Sequence, residues 1–321
     1  MIEIRAPDFD LEKTLDSGQV FHWQKVGDGF AGAIGDLALY VEQRDGVLRV
    51  LMEGGVAATP GGRRVRGPGS GSQELAPPVR GLVARYFALD HSLTEICDSF
   101  PKDPVMNAAR GFCRGLRIIR QPKWECLATF ICSSMKQVAH IRQISLALRK
   151  RFGEERRIGD HTVYSFPSAR RLARASEKEL RDCKLGYRTK NLRETARLVS
   201  SDEADLEEWS ALPDADVRKR LCALPGVGPK IANCVLLFAY ERLKAFPIDV
   251  WIERVLRQYY FSRRKRTTAQ RLREFSETYF GEHGGYAQQY LFHHARMASS
   301  RNRSTCGHPG QMERSRRNPG S

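Results

Sequence analysis

The 321-residue chain holds no apolar run near the ~20 residues that span a bilayer. Its N-terminus, mixed and acidic, has no basic start leading into an apolar stretch, so no secretory signal is expected. The eight cysteines, at 97, 113, 126, 132, 183, 222, 234 and 306, lack paired spacing and read as reduced thiols rather than a disulfide framework. His293-His294 and Cys306-Gly307-His308 likewise lack the spacing of a zinc site, so no metal is expected. No internal repeat occurs. Negative charge is short: 37 Asp and Glu against 53 Lys and Arg leave a net +16. That surplus points to a polyanionic partner, with nucleic acid first. Hydrophobic residues at 41% are enough for a packed core and exclude global disorder.

The fold class expected is α+β, divided at about residues 1–100, 101–300 and 301–321. In the first part Leu37, Leu39 and Val41 alternate with polar residues, as do Leu48, Val50 and Met52. Between the two runs, Asp45-Gly46 signals a tight hairpin. Residues 54–80 carry seven Gly and four Pro and read as a flexible insertion with Arg63, Arg64 and Arg66. From about residue 81 the spacing turns helical. One segment is 125–153, and a polar, Arg-rich helix follows Ser168. Residues 301–321 read as a disordered basic tail.

The chemistry concentrates between Asp216 and Tyr260. Residues 216–224 form one helix and a second starts near Lys230, with Ile231, Cys234, Val235 and Phe238 on its apolar stripe. Leu224-Pro225-Gly226-Val227-Gly228-Pro229-Lys230 joins them as a hairpin whose amides, at Gly226, Val227 and Gly228, suit a DNA phosphate. Lys230 then has two readings, a phosphate contact or an amine nucleophile with a lowered pKa. Nineteen residues on, Asp249 opens a helix with the stripe Ile252, Val255, Leu256 and Tyr259; it fits a plain N-cap, and a capped carboxylate is also rigidly aimed.

LPGVGPK followed by PIDV resembles the helix–hairpin–helix glycosylases with a Gly/Pro-rich loop and an Asp. Four further blocks narrow the resemblance to the 8-oxoguanine DNA glycosylases: SGQVFHW at 17–23, GLRIIRQPKWECLATFICSS at 115–134, LGYR at 185–188 and YAQQYLF at 286–292. They occur in family order across most of residues 10–297. The resemblance implies an N-terminal antiparallel, TBP-like sheet domain before a helical glycosylase domain, acting as a monomer on double-stranded DNA with oxidised guanine. It implies that Lys230 attacks the sugar C1′ to form an imine, which then permits β-elimination, and that Asp249 stabilises the cationic sugar. The damaged base would lie between Cys234 and Phe292, with Gln288 on its Watson–Crick edge and the Gly18 carbonyl accepting its N7 hydrogen. Tyr187 would be the wedge and Arg188 a contact to the opposite base.

Three departures from eukaryotic members stand out. Met135 and His140 occupy the positions of an Asn and an Arg that, with Arg188, read the opposite cytosine, so a relaxed opposite-base preference is expected. Trp251 and Ala295 replace a coupled His and Asp, which implies a substituted interaction. Only Cys306 follows Asp249, so no iron–sulfur cluster is expected. A bifunctional glycosylase leads; an alkylated-base glycosylase and a non-catalytic hairpin module stay open. Arg263-Arg264-Lys265-Arg266 is a backbone contact or a solvated loop. An N-terminus so close to the first fold element suggests a bacterial cytoplasm, with a nucleus left open.

Overall fold

The computed structural model describes residues 1–52, 76–133, 137–261 and 267–305. Most of the 54–80 insertion, Met135, the run 263–266 and the tail beyond 305 lie outside these residues. The sheet domain contains β1 (Ile2–Arg5), α1 (Leu11–Asp16), β2 (Gln24–Val26), β3 (Gly29–Ile34), β4 (Leu37–Arg44) and β5 (Val47–Met52). The five strands are antiparallel in the order β1-β5-β4-β3-β2. Arg44 pairs with Val47 across a two-residue turn in which Asp45 (φ 49°) and Gly46 (φ 71°) are both left-handed, as the Asp-Gly signal requires. Leu39, Val41, Leu48 and Val50 are fully buried against Leu15 of α1 and against Val83 and Phe87 of α2 (Ala76–Tyr86). That helix overlaps the last residues of the expected insertion, because Val79, Val83 and Tyr86 repeat on its buried face.

The helical part follows: α3 (Leu93–Asp98), α4 (Pro104–Phe112), α5 (Lys123–Cys132), α6 (Val138–Phe152), β6 (Glu155–Ile158), β7 (His161–Tyr164), α7 (Ala169–Arg174), α8 (Glu177–Asp182), α9 (Arg188–Ser200), α10 (Asp214–Ala223), α11 (Pro229–Phe238), α12 (Val250–Val255), α13 (Ala269–Tyr279) and α14 (Gly284–Thr305). Three features differ from the sequence expectation. The Arg-rich helix after Ser168 is two helices, because Ser176 and Glu179 form a capping box that starts a new one. Helix α12 passes into a π-turn at Leu256–Tyr260. The extra residue rotates Tyr259 out to 56% exposure and brings Tyr260 in to bond Asp103 at 3.1 Å. The last helix reaches Thr305, four residues past the expected start of the tail.

Buried polar contacts fix the sheet to the helices that carry the site. His22 Nε2 lies 2.8 Å from the Ala33 carbonyl, and its Nδ1 is 3.4 Å from Glu125 of α5, which pairs with Arg149 of α6. Burial raises the Glu125 pKa against the opposing pull of Arg149. Burial lowers that of His22, and Arg149 lowers it further.

Candidate active site

The α10–α11 connection is a turn in which the Val227 amide donates to the Leu224 carbonyl at 3.1 Å, with Pro225 and left-handed Gly226 (φ 80°) at its centre. A Cβ on Gly226 would sit 2.8 Å from Cβ of Asn191 in α9. Thr195, one turn further along α9, donates to the Pro225 carbonyl at 3.0 Å. The hairpin is therefore pinned from behind. The sequence places Val227 among the outward amides; the structure corrects this, since its N–H closes the turn and its side chain is buried. Gly226 is exposed and Gly228 is the N-cap of α11. The amides of the helix's first turn have no partner within the helix and its dipole is positive there, as an anion site needs.

Helix α11 projects Lys230 and, one turn on, Cys234 from a buried face. Lys230 Nζ donates to Ser133 Oγ at 3.3 Å and lies 5.3 Å from the Phe130 ring centre. The Ser133 hydroxyl is itself spent on the Phe130 carbonyl at 2.7 Å, so its oxygen faces the lysine as an acceptor. Burial pushes the Cys234 thiol up to about 11, with Lys230 opposing, so it is a neutral wall at pH 7. Asp249 caps α12, accepting from the Ile252 amide at 2.9 Å. Burial raises its carboxyl pKa, and the Ile252 amide and the Lys230 charge hold the rise back.

Lys230 and Asp249 both line an open cleft of about 830 Å³, together with Gly18, Phe130, Trp251 and Phe292. At its floor is a recess of about 40 Å³ that adds Cys234 and Gln288 to Lys230, Asp249, Gly18 and Phe292. All six residues expected at the reacting centre and base pocket thus border one recess. Gln288 is 4% exposed and its Oε1 has no hydrogen-bond partner. A buried acceptor left unmade costs stability, and such orphans concentrate where a ligand supplies the donor. Gly18 is left-handed (φ 84°), and a Cβ there would meet the Phe292 ring at 3.1 Å.

The outer contacts are less uniform. Tyr187 stands 65% exposed ahead of α9, as a wedge requires. The sequence places Arg188 on the opposite base; the structure holds it inward, 3% exposed. It donates to the Leu185 carbonyl at 3.2 Å and the Tyr187 hydroxyl at 2.9 Å, and stacks 4.2 Å from the Tyr187 ring centre. Its side chain must rotate to touch a base. His140 is exposed on the first turn of α6. Trp251 and Ala295 line a separate cavity of about 470 Å³, and Arg254 lies 5.2 Å from the Trp251 ring centre, a cation–π contact at the position of the missing pair. The sequence reading assigned no role to Ser133 or Phe130, although both lie in the CSS block it singled out.

Among the described residues no group of three or more His, Cys, Asp or Glu is placed to hold a metal ion. No helix among them is long and apolar enough to cross a membrane.

Comparison with known proteins agrees with this geometry. Residues 1–127 match the 8-oxoguanine DNA glycosylase N-terminal domain. Residues 128–279 match the HhH-GPD superfamily base excision DNA repair protein. A probable N-glycosylase/DNA lyase of Methanothermobacter thermautotrophicus is 29% identical over 319 residues, 92% of this chain and 96% of that protein. The N-glycosylase/DNA lyase OGG1 of Arabidopsis thaliana is 29% identical over 307 residues, 91% of this chain and 78% of its own length. The Clostridium acetobutylicum 8-oxoguanine glycosylase/lyase, solved with double-stranded DNA containing cytosine opposite 8-oxoguanine, superposes with a TM-score of 0.79. It is 26% identical and covers 91% of this chain and 93% of its own. With an N-terminal sheet domain and a hairpin domain matched in sequence and superposed as one fold, the chain belongs to the 8-oxoguanine DNA glycosylases of the helix–hairpin–helix repair superfamily.

Proposed function

We propose that this protein is a DNA glycosylase with an associated lyase activity, excising 8-oxoguanine from duplex DNA through a covalent intermediate on Lys230. The observation that carries the proposal is the single recess bordered by an amine, a carboxylate and an unsatisfied amide oxygen. The amine lone pair of Lys230 attacks C1′ as the N-glycosidic bond breaks, and the bond's electron pair leaves with the base, which takes up a proton. Loss of a proton from the new C1′–N bond and opening of the sugar give the imine. Abstraction of a 2′ hydrogen then expels the 3′ phosphate and cuts the strand.

Asp249 supplies negative charge where C1′ becomes cationic, and its cap bond fixes it before reaction begins. The base must leave the stack to reach Lys230. A recess of about 40 Å³ holds little more than one water. A purine therefore seats only when a wall yields. Phe292 is partly exposed while Cys234, Phe130 and Phe238 are buried, so Phe292 is the wall able to swing. Gln288 then reads the Watson–Crick edge, the Gly18 carbonyl takes the N7 hydrogen that guanine lacks, and Tyr187 holds the gap open. Gly226 and Gly228 hold the backbone. Every group named comes from one chain and the chemistry uses amine and carboxylate alone, so the enzyme acts as a monomer without metal or cofactor. Its work lies with the chromosome, in the cytoplasm of a bacterial cell.

Duplexes with 8-oxoguanine opposite C, A, G or T, run beside one with 3-methyladenine, test the reading. We expect excision of 8-oxoguanine and none of 3-methyladenine. With Met135 and His140 replacing two opposite-base readers, the preference for cytosine falls about ten- to a hundredfold short of what two added bidentate contacts would confer. Release of 3-methyladenine alone, or of neither base, would overturn the substrate assignment.

A further inference from the structure

The recess depends on where the Gly18 peptide stands, and three buried glutamines hold it from both sides. The carbonyl before it, of Ser17, accepts from Gln289 Nε2 of α14 at 2.9 Å. The carbonyl after it, of Gln19, accepts from Gln121 Nε2 at 2.8 Å. The Gln19 side chain completes the clamp. Its Oε1 accepts from the Ile119 amide at 2.7 Å, and its Nε2 is shared among the carbonyls of Arg117 (2.8 Å) and Thr14 (3.1 Å) and the Ser17 hydroxyl (3.0 Å). Gln19, Gln121 and Gln289 are 0%, 7% and 3% exposed.

These bonds tie Gly18 to the two helices that form the rest of the site. Gln289 is adjacent in sequence to Gln288 and three residues from Phe292, both on α14. Gln121 donates its backbone amide to the Phe238 carbonyl at 2.7 Å, at the end of the helix that carries Lys230 and Cys234. A left-handed glycine without a side chain has no other means of holding its position. The clamp needs amides, because each glutamine must donate to a buried carbonyl while leaving no charge behind.

We infer that Gln289 and Gln121 are positioning residues for lesion discrimination: they register the Gly18 backbone against α14 and α11, so that one carbonyl separates 8-oxoguanine from guanine. The inference rests on the reading of Gly18 proposed above. Neither glutamine touches the base, so their loss acts on discrimination and not on the grip on DNA.

The test measures binding in a Lys230→Gln background, which cannot turn over, to three duplexes: 8-oxoguanine opposite C, guanine opposite C, and a tetrahydrofuran abasic analogue. Adding Gln289→Met keeps the side-chain length and removes the donor. The expected result is a fall of about tenfold in the preference for 8-oxoguanine over guanine, the size of one hydrogen bond, with tetrahydrofuran affinity unchanged within about twofold. Gln121→Met, placed on the opposite flank, is expected to do the same and covers the case in which the first variant melts before it can be measured. An unchanged preference, or an equal loss on all three duplexes, overturns the inference. A Lys230→Gln parent with no preference for 8-oxoguanine removes the base-reading role of Gly18 itself, and the clamp's purpose with it.

Discussion

Asp249 has two duties that one pair of substitutions separates. As the N-cap of α12 it accepts from the Ile252 amide at 2.9 Å, a bond that asparagine makes equally well and alanine cannot. As a charge beside the reacting sugar it has no neutral substitute. Asp249→Asn is therefore expected to fold normally and to lose about 10²–10³-fold in the single-turnover excision rate, the usual effect of removing one preorganised electrostatic partner. Asp249→Ala loses the same rate and also about 1 kcal/mol of stability. The pH dependence has a definite sign. Burial raises the carboxyl pKa in the folded state, so the folded protein holds this proton more tightly than the unfolded chain. The stability this contributes is complete below the unfolded value of about 4 and is lost as pH rises through the raised folded value. Melting curves from pH 4 to 8 should accordingly show Asp249→Asn at least as stable as the parent at pH 7, the difference closing toward pH 4. Near-parental excision by Asp249→Asn would refute the electrostatic role. A loss of stability as large as that of the alanine variant would refute the cap geometry.

Gly226→Ala forces a side chain into left-handed backbone and against Asn191, and should lower the melting temperature by about 2–6 °C and weaken DNA binding. Gly228→Ala, with extended backbone and nothing within 4 Å, is the control and should melt as the parent does. Tyr187→Ala, at an exposed position, should leave the melting curve unchanged while slowing excision from duplex DNA by about ten- to a hundredfold, the range for losing one aromatic–base stack; full excision by this variant would remove Tyr187 as the wedge.

Local signals carried much of this structure. Asp45-Gly46 announces its turn because only positive φ at both positions matches the strand twist, and Pro225-Gly226 does so for the hairpin. Helix α11 is legible because its stripe is apolar over the whole length that is buried. The β6–β7 hairpin is not, because its polar four-residue strands are shaped by packing of Ile158 and Val163 on Ala31 and Ala38 of the sheet. The π-turn that expels Tyr259 reflects the tie of Tyr260 to Asp103, 157 positions away in sequence, and no periodicity reports it. At the site, residue types in family order locate Lys230, Asp249, Gln288 and Phe292 around one recess. The inward pose of Arg188 and the donation of Gln289 to Ser17 depend on side-chain direction and on contacts between distant segments. Spacing along the chain is silent about both.

The central claim is a covalent bond between Lys230 and the sugar. Borohydride present during reaction with a duplex carrying 8-oxoguanine opposite cytosine reduces an imine to a stable amine. A protein–DNA adduct that forms with the parent and is absent with Lys230→Gln is the predicted result. Base release without any adduct would contradict it and move the attack to a water directed by Asp249.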